Sequence, residues 1–139
     1  MKKLSVFILA AIATMAHAQD FKGLDKSPMD RVFYPPSNRV TDKAIVITYS
    51  RPQLRGRNLE DVVPTYEIWR TGANEATQVR FFSNVEINKT MVPAGEYTIF
   101  TIFDKNEVTF ILNKAINIWG SYSYKSDNDI LRYTVPINK

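Results

Sequence analysis

Apolar residues in this chain recur in short runs, each closed within a few positions by Pro, Gly, Asn or Asp, and helical periodicity is weak beyond the first eighteen residues. That spacing builds strands and turns. Ala44 to Tyr49 is β-branched and almost wholly apolar, the pattern of a strand covered on both faces. Thr77 to Phe82 sets Thr77, Val79 and Phe81 against Gln78 and Arg80, a half-buried strand. Ser83-Asn84 turns the chain into Val85 to Asn88, and Asn88-Lys89 turns it again toward Met91-Val92. After the turn signal Pro93-Ala94-Gly95 comes the clearest hairpin, Tyr97 to Phe103 and Glu107 to Leu112, closed over Asp104-Lys105-Asn106. Alternation puts Tyr97, Ile99 and Phe103 on one face, with Phe100 and Ile102 on the other. Leu131 to Ile137 is the last strand, with Leu131, Tyr133 and Val135 inward, and Pro136 places its end, or the whole strand, at a sheet edge. Short helical turns are expected at Asn58 to Val63, with Asn58 as the cap, and at Lys114 to Trp119. The fold class that follows is all-β, over residues 43–139: a two-sheet antiparallel β-sandwich, Greek-key or jelly-roll like, with one or two helical turns.

The N-terminus follows a different logic. Lys2 and Lys3 precede an apolar run from Leu4 to Ala13, and Ala16-His17-Ala18 supplies small residues where a signal peptidase reads. Residues 1–18 are therefore expected to be a signal peptide, cleaved before Gln19. The run is too short to cross a bilayer, which needs about 20 residues, so no membrane span is expected in the mature chain. Export to the periplasm or beyond follows. Residues 19–42, polar and carrying Pro28, Pro35 and Pro36, read as an N-terminal arm whose one strand-like stretch is Met29 to Tyr34.

Composition then removes whole chemistries. His17 is the only histidine and leaves with the signal peptide, and cysteine is absent. Ser-His-Asp and Cys-His nucleophilic catalysis both need an imidazole, and the usual zinc sites need His or Cys. No metal, cofactor or catalytic residue is assigned. Export permits disulfides but none is available, so the core holds the fold unaided. Cleavage takes two of the 18 basic residues, leaving 16 against 14 acidic ones, without the concentrated positive face of a nucleic-acid binder.

Three segments stand apart from the strands. Ser50 to Arg57 carries Arg51, Arg55 and Arg57 beside Pro52 and Gly56, guanidinium forks suited to an anion or to an ordinary solvated loop. Trp69-Arg70-Thr71-Gly72-Ala73-Asn74-Glu75-Ala76-Thr77 gathers an aromatic plate, a planar cation, amide and hydroxyl groups and a carboxylate. It suits a polar ligand, the indole stacking on a sugar or base face; equally it suits a scaffold in which Arg70 pairs with Glu75 or a loop carbonyl while Trp69 fills the core. Trp119 to Asp129 alternates aromatic and hydroxyl residues, fitting a carbohydrate platform or tyrosines, Tyr124 among them, leaning on the core. Asp127 and Asp129 lack the glycine and terminal glutamate of a calcium loop and read as a capped turn.

Taken together, Tyr49-Ser50-Arg51-Pro52, the Trp69 to Thr77 segment, Pro93-Ala94-Gly95-Glu96-Tyr97 and Trp119-Gly120-Ser121-Tyr122-Ser123-Tyr124 make the chain resemble an exported bacterial family, domain of unknown function 2911, from about Leu24 to the C-terminus. The resemblance implies an envelope or extracellular setting and a β-sandwich layout, and carries no activity.

The expected function is a non-enzymatic binding or accessory domain for a polar ligand, a glycan or an anionic envelope component. The candidate residues are Trp69, Arg70, Asn74, Glu75, Trp119, Arg51 and Tyr124. One alternative is a carboxylate-based hydrolase of an envelope or extracellular polysaccharide, using Glu75 with Asp127 or Asp129. Another is a structural partner in an envelope protein assembly, which predicts a contiguous exposed apolar patch.

Overall fold

A computed structural model describes residues 23–137, so the expected signal peptide lies outside the described residues. The chain is all-β. Strands β1 (Met29–Tyr34), β2 (Ile45–Ser50), β3 (Gln78–Phe81), β6 (Gly95–Phe103), β7 (Glu107–Asn113) and β8 (Asp129–Pro136) form one six-stranded sheet, and β4 (Val85–Ile87) pairs with β5 (Thr90–Val92) in a second, two-stranded one. The two sheets are thus very unequal. Every pairing is antiparallel, and the order β1-β2-β3-β6-β7-β8 follows the chain, so the connectivity is an up-and-down meander rather than a Greek-key or jelly-roll crossing. Met29–Tyr34 thereby becomes one edge of the large sheet. β8 is the other edge, and Pro136 is its last residue, where no ladder donor is needed.

Both faces of the sheet carry apolar residues, so both need cover. Val79, Phe81, Tyr97 and Leu112 form one core with Ile45, Ile47, Ile99 and Leu131, and Val85, Ile87 and Val92 of the small hairpin close over it. The hairpin covers only part of that face. Beside it lies an apolar cleft of about 370 Å³ flanked by Ile47, Ile99, Phe110 and Tyr133. On the opposite face, fully buried Phe100 and Ile111 pack with Ala76, Ile68, Ile102, Ile118 and Tyr124, which come mostly from loops. The assignment of Tyr97 and Ile99 to one face and Phe100 and Ile102 to the other therefore holds. This second face, covered by loops, positions the candidate site.

Leu59–Asp61 forms a single 3-10 turn, with Asn58 and Asp61 in a reciprocal capping box. Lys114 to Trp119 does not form the other. The Ala115 N–H is taken by the Asn113 side chain at 3.0 Å, and Asn117 sits at φ 55°, a left-handed conformation that a right-handed helix cannot contain. The second 3-10 turn lies at Ser126–Asn128 instead.

Candidate functional site

β6 is longer than its partner β3, and the excess is paired by the segment ahead of β3. Trp69 and Thr101 exchange both backbone hydrogen bonds, at 2.8 and 3.0 Å, and Tyr66 N–H donates to the Phe103 carbonyl at 2.7 Å. Trp69 is half-buried, its indole edge-on to Phe103 at 5.8 Å. From there the chain must turn back to enter β3, and Thr71 and Asn74 do this, both at φ 56°. For β-branched Thr71 that conformation costs on the order of 1–3 kcal/mol. The surroundings hold it. Thr77 Oγ1 donates to the Thr71 carbonyl at 2.7 Å, the Thr71 and Thr101 hydroxyls meet at 3.1 Å, and Ala73 N–H donates to the Ser50 carbonyl at 3.1 Å.

After the turn, Glu75 bridges to Trp119, Ala76 N–H donates to the Ile118 carbonyl at 3.0 Å, and Gly120 N–H donates to the Asn74 carbonyl at 3.0 Å. This short ladder joins the two aromatic segments. Trp119 remains 58 % exposed and stacks nearly parallel on Tyr122, rings 5.6 Å apart and 13° between planes. The Arg70 guanidinium lies 5.5 Å from the centre of the same indole and donates from Nε to the Gly72 carbonyl at 3.3 Å. Gly120 adopts φ 69°, and a Cβ there would sit 2.8 Å from the Tyr122 ring and 3.3 Å from Arg70 Nη1. Glycine is what lets these groups converge.

Two polar clefts flank the cluster. One, of about 350 Å³, is bordered by Asp25, Asn74, Glu75 and Trp119; the other, of about 240 Å³, by Arg55, Arg57, Arg70 and Asn74. Ser27 and Asn74 border both. Ser27 N–H donates to Asp25 Oδ1 at 2.6 Å, and that bond, the Asn74 amide and the Arg55 charge hold the Asp25 carboxyl below its ordinary value.

The structure thus brings Trp69, Arg70, Asn74, Glu75 and Trp119 into one region. Arg70 takes a loop carbonyl and an indole face rather than Glu75, with which it forms no ion pair. Arg51 borders neither cleft and is paired with Asp30 at 2.7 Å across the end of β1 and β2. Tyr124 turns inward, its ring edge-on to Phe100 at 5.0 Å and its hydroxyl donating to Asp129 Oδ2 at 2.5 Å. Asp129 also accepts from Asn113 Nδ2 at 2.7 Å and Arg132 Nε at 2.9 Å, so it serves this network and not a pair with Glu75. Among the described residues no group of three or more His, Cys, Asp and Glu side chains could hold a metal, and no helix is long and apolar enough to cross a membrane. Asp25 and Tyr122 carried no individual signal in the sequence. The alternation around Tyr122 marked its segment, but nothing marked Asp25.

The geometry defines an all-β domain whose loop-covered face ends in an exposed aromatic and guanidinium cluster between two polar clefts. A family model described as protein of unknown function, DUF2911, matches residues 27–139, and the chain belongs to that family. No curated protein and no solved structure matches it.

Proposed function

We propose that this is a non-enzymatic binding domain, exported from the cytoplasm, that holds a polar ligand of the glycan class or an anionic envelope component. The observation carrying this reading is the Trp119–Tyr122 stack, left open to solvent beside two polar clefts. An exposed indole offers a flat apolar face to the C–H side of a sugar ring, and the Asn74 amide and Glu75 carboxylate stand next to it for the hydroxyl edge. The paired-acid alternative draws less support. Asp129 is committed to Asn113, Tyr124 and Arg132, and neither Asp127 nor Asp129 borders the clefts that Glu75 lines.

The test is a glycan array on the purified protein, followed by titration calorimetry of the best binder against wild type and Trp119→Ala. Because Trp119 is largely exposed, the variant should fold normally while its affinity falls about ten- to a hundredfold. Unchanged affinity in Trp119→Ala, or a set of binders that is only apolar, would overturn the reading.

A further inference from the structure

We propose that the cleft between the arginine loop and Arg70 is an oxyanion subsite, which seats the carboxylate, sulfate or phosphate of a ligand whose ring lies on Trp119, and that Asp25 competes for it. The inference rests on the binding function proposed above and narrows its ligand to acidic saccharides.

Three guanidinium groups border this cleft, Arg55, Arg57 and Arg70, against one carboxylate, Asp61. Asp61 is already committed, accepting the Asn58 N–H at 2.9 Å in its capping box. Arg57 donates to the Gln53 and Leu54 carbonyls at 2.9 and 3.0 Å, so it shapes the loop and contributes its charge. Among the described residues Arg55 makes no side-chain hydrogen bond, and Arg70, whose guanidinium lies over the Trp119 indole, donates only from Nε to the Gly72 carbonyl. Their remaining N–H groups are free to make paired bonds to an oxyanion. Left-handed backbone clusters here as well. Arg55 at φ 52° and Asn74 at φ 56° both border the cleft, and strain of this kind persists where the surroundings fix a required geometry.

A second observation points the same way. The neighbouring cleft, which shares Ser27 and Asn74 with this one, already holds a carboxylate, that of Asp25, which accepts the Ser27 N–H at 2.6 Å. Donors that hold one carboxylate from the chain itself suit one from a ligand. Since Ser27 and Asn74 border both clefts, a sugar on Trp119 would need to extend only past Asn74 to reach Arg55.

The experiment pairs acidic oligosaccharides (uronate, sulfated and phosphorylated) with neutral counterparts of the same length, and titrates inorganic phosphate and sulfate separately by NMR. Acidic members should bind about tenfold or more tightly than their neutral counterparts. Arg55→Gln, in a fully exposed loop and expected to melt with wild type, should remove that preference. Asp25→Asn should strengthen binding of the acidic members and of the inorganic anions. Equal binding of acidic and neutral members, a preference that survives Arg55→Gln, or weaker anion binding in Asp25→Asn would overturn the subsite while leaving the saccharide function standing. No glycan binding at all would remove that function; the subsite would then stand or fall on whether phosphate and sulfate shift the Arg55 and Arg70 side-chain N–H signals. Uronate, sulfate and phosphate arms that differ among themselves identify which acid is read.

Discussion

Tyr122 and Tyr124 lie two residues apart in one loop, and the structure treats them in opposite ways. Tyr122 is 82 % exposed, and its ring stacks on Trp119, itself more than half exposed. Tyr124 is pressed against the fully buried Phe100, and its hydroxyl closes a network of Asn113, Asp129 and Arg132 in which every buried polar side-chain atom has a partner. A buried polar network costs free energy unless each member is satisfied, so this arm of the loop has the features of a structural clamp. The other arm keeps large apolar surface in water where nothing in the fold requires it. The same loop is thus tied to the core at one end and open to solvent at the other.

The sharpest way to break that comparison is at Asp129, the shared acceptor. Asp129→Ala should cost about 2–3 kcal/mol, because the Asn113 amide and Tyr124 hydroxyl lose their partner inside the fold, while Arg132, about half exposed, can turn to water. The thermal midpoint should drop by roughly 10 °C. A drop of only one or two degrees would mean that the network does not hold the loop.

Tyr124→Phe is the next step down. It keeps the ring on Phe100 and removes two hydrogen bonds, for an expected loss of about 1 kcal/mol at neutral pH. The same variant gives a pH test. Partial burial, then the hydrogen bond to Asp129, raises the Tyr124 hydroxyl above the ordinary tyrosine value of 10.0, so the native state holds this proton more tightly than the unfolded chain. Its contribution is fully present below about pH 10 and is lost as pH rises through the folded value. The stability gap between wild type and Tyr124→Phe should therefore shrink in melts above pH 10. A gap that widened there would contradict the assignment.

How much of this was legible beforehand depends on how local each feature is. Strand faces in Tyr97–Phe103 could be read because alternation is a property of the strand itself, and β6 is paired on both sides. Lys114 to Trp119 looked helical because its own composition allows a turn. Partners distant in sequence decide it instead: the Asn128 carbonyl takes the Lys114 N–H, and Glu75 pairs with Trp119. Composition identified the Trp69 and Trp119 segments as unusual, since aromatic, cationic and amide residues crowd together there. Their adjacency was not readable, because it comes from a ladder between chain positions more than forty residues apart. Asp25 escaped altogether. A lone aspartate in a polar arm has no pattern, and only the fold brings it to Asn74 and Arg55.

The smallest expected effect on stability is the most informative about function. Tyr122→Ala removes a ring that is itself mostly in water, resting on Trp119 and on the Gly120 backbone, so the melt should stay within about 0.5 kcal/mol of wild type. Ligand affinity should nevertheless fall, because Trp119 would lose the neighbour stacked on it that fixes its plane. If Tyr122→Ala were instead to cost as much stability as Tyr124→Phe, both tyrosines would belong to the clamp. The open stack would then be a structural edge, and the argument for a ring-binding platform would lose its footing. Stability unchanged with affinity lost is the outcome that separates the two arms, since a residue that the fold does not need but the ligand does has its place explained by binding.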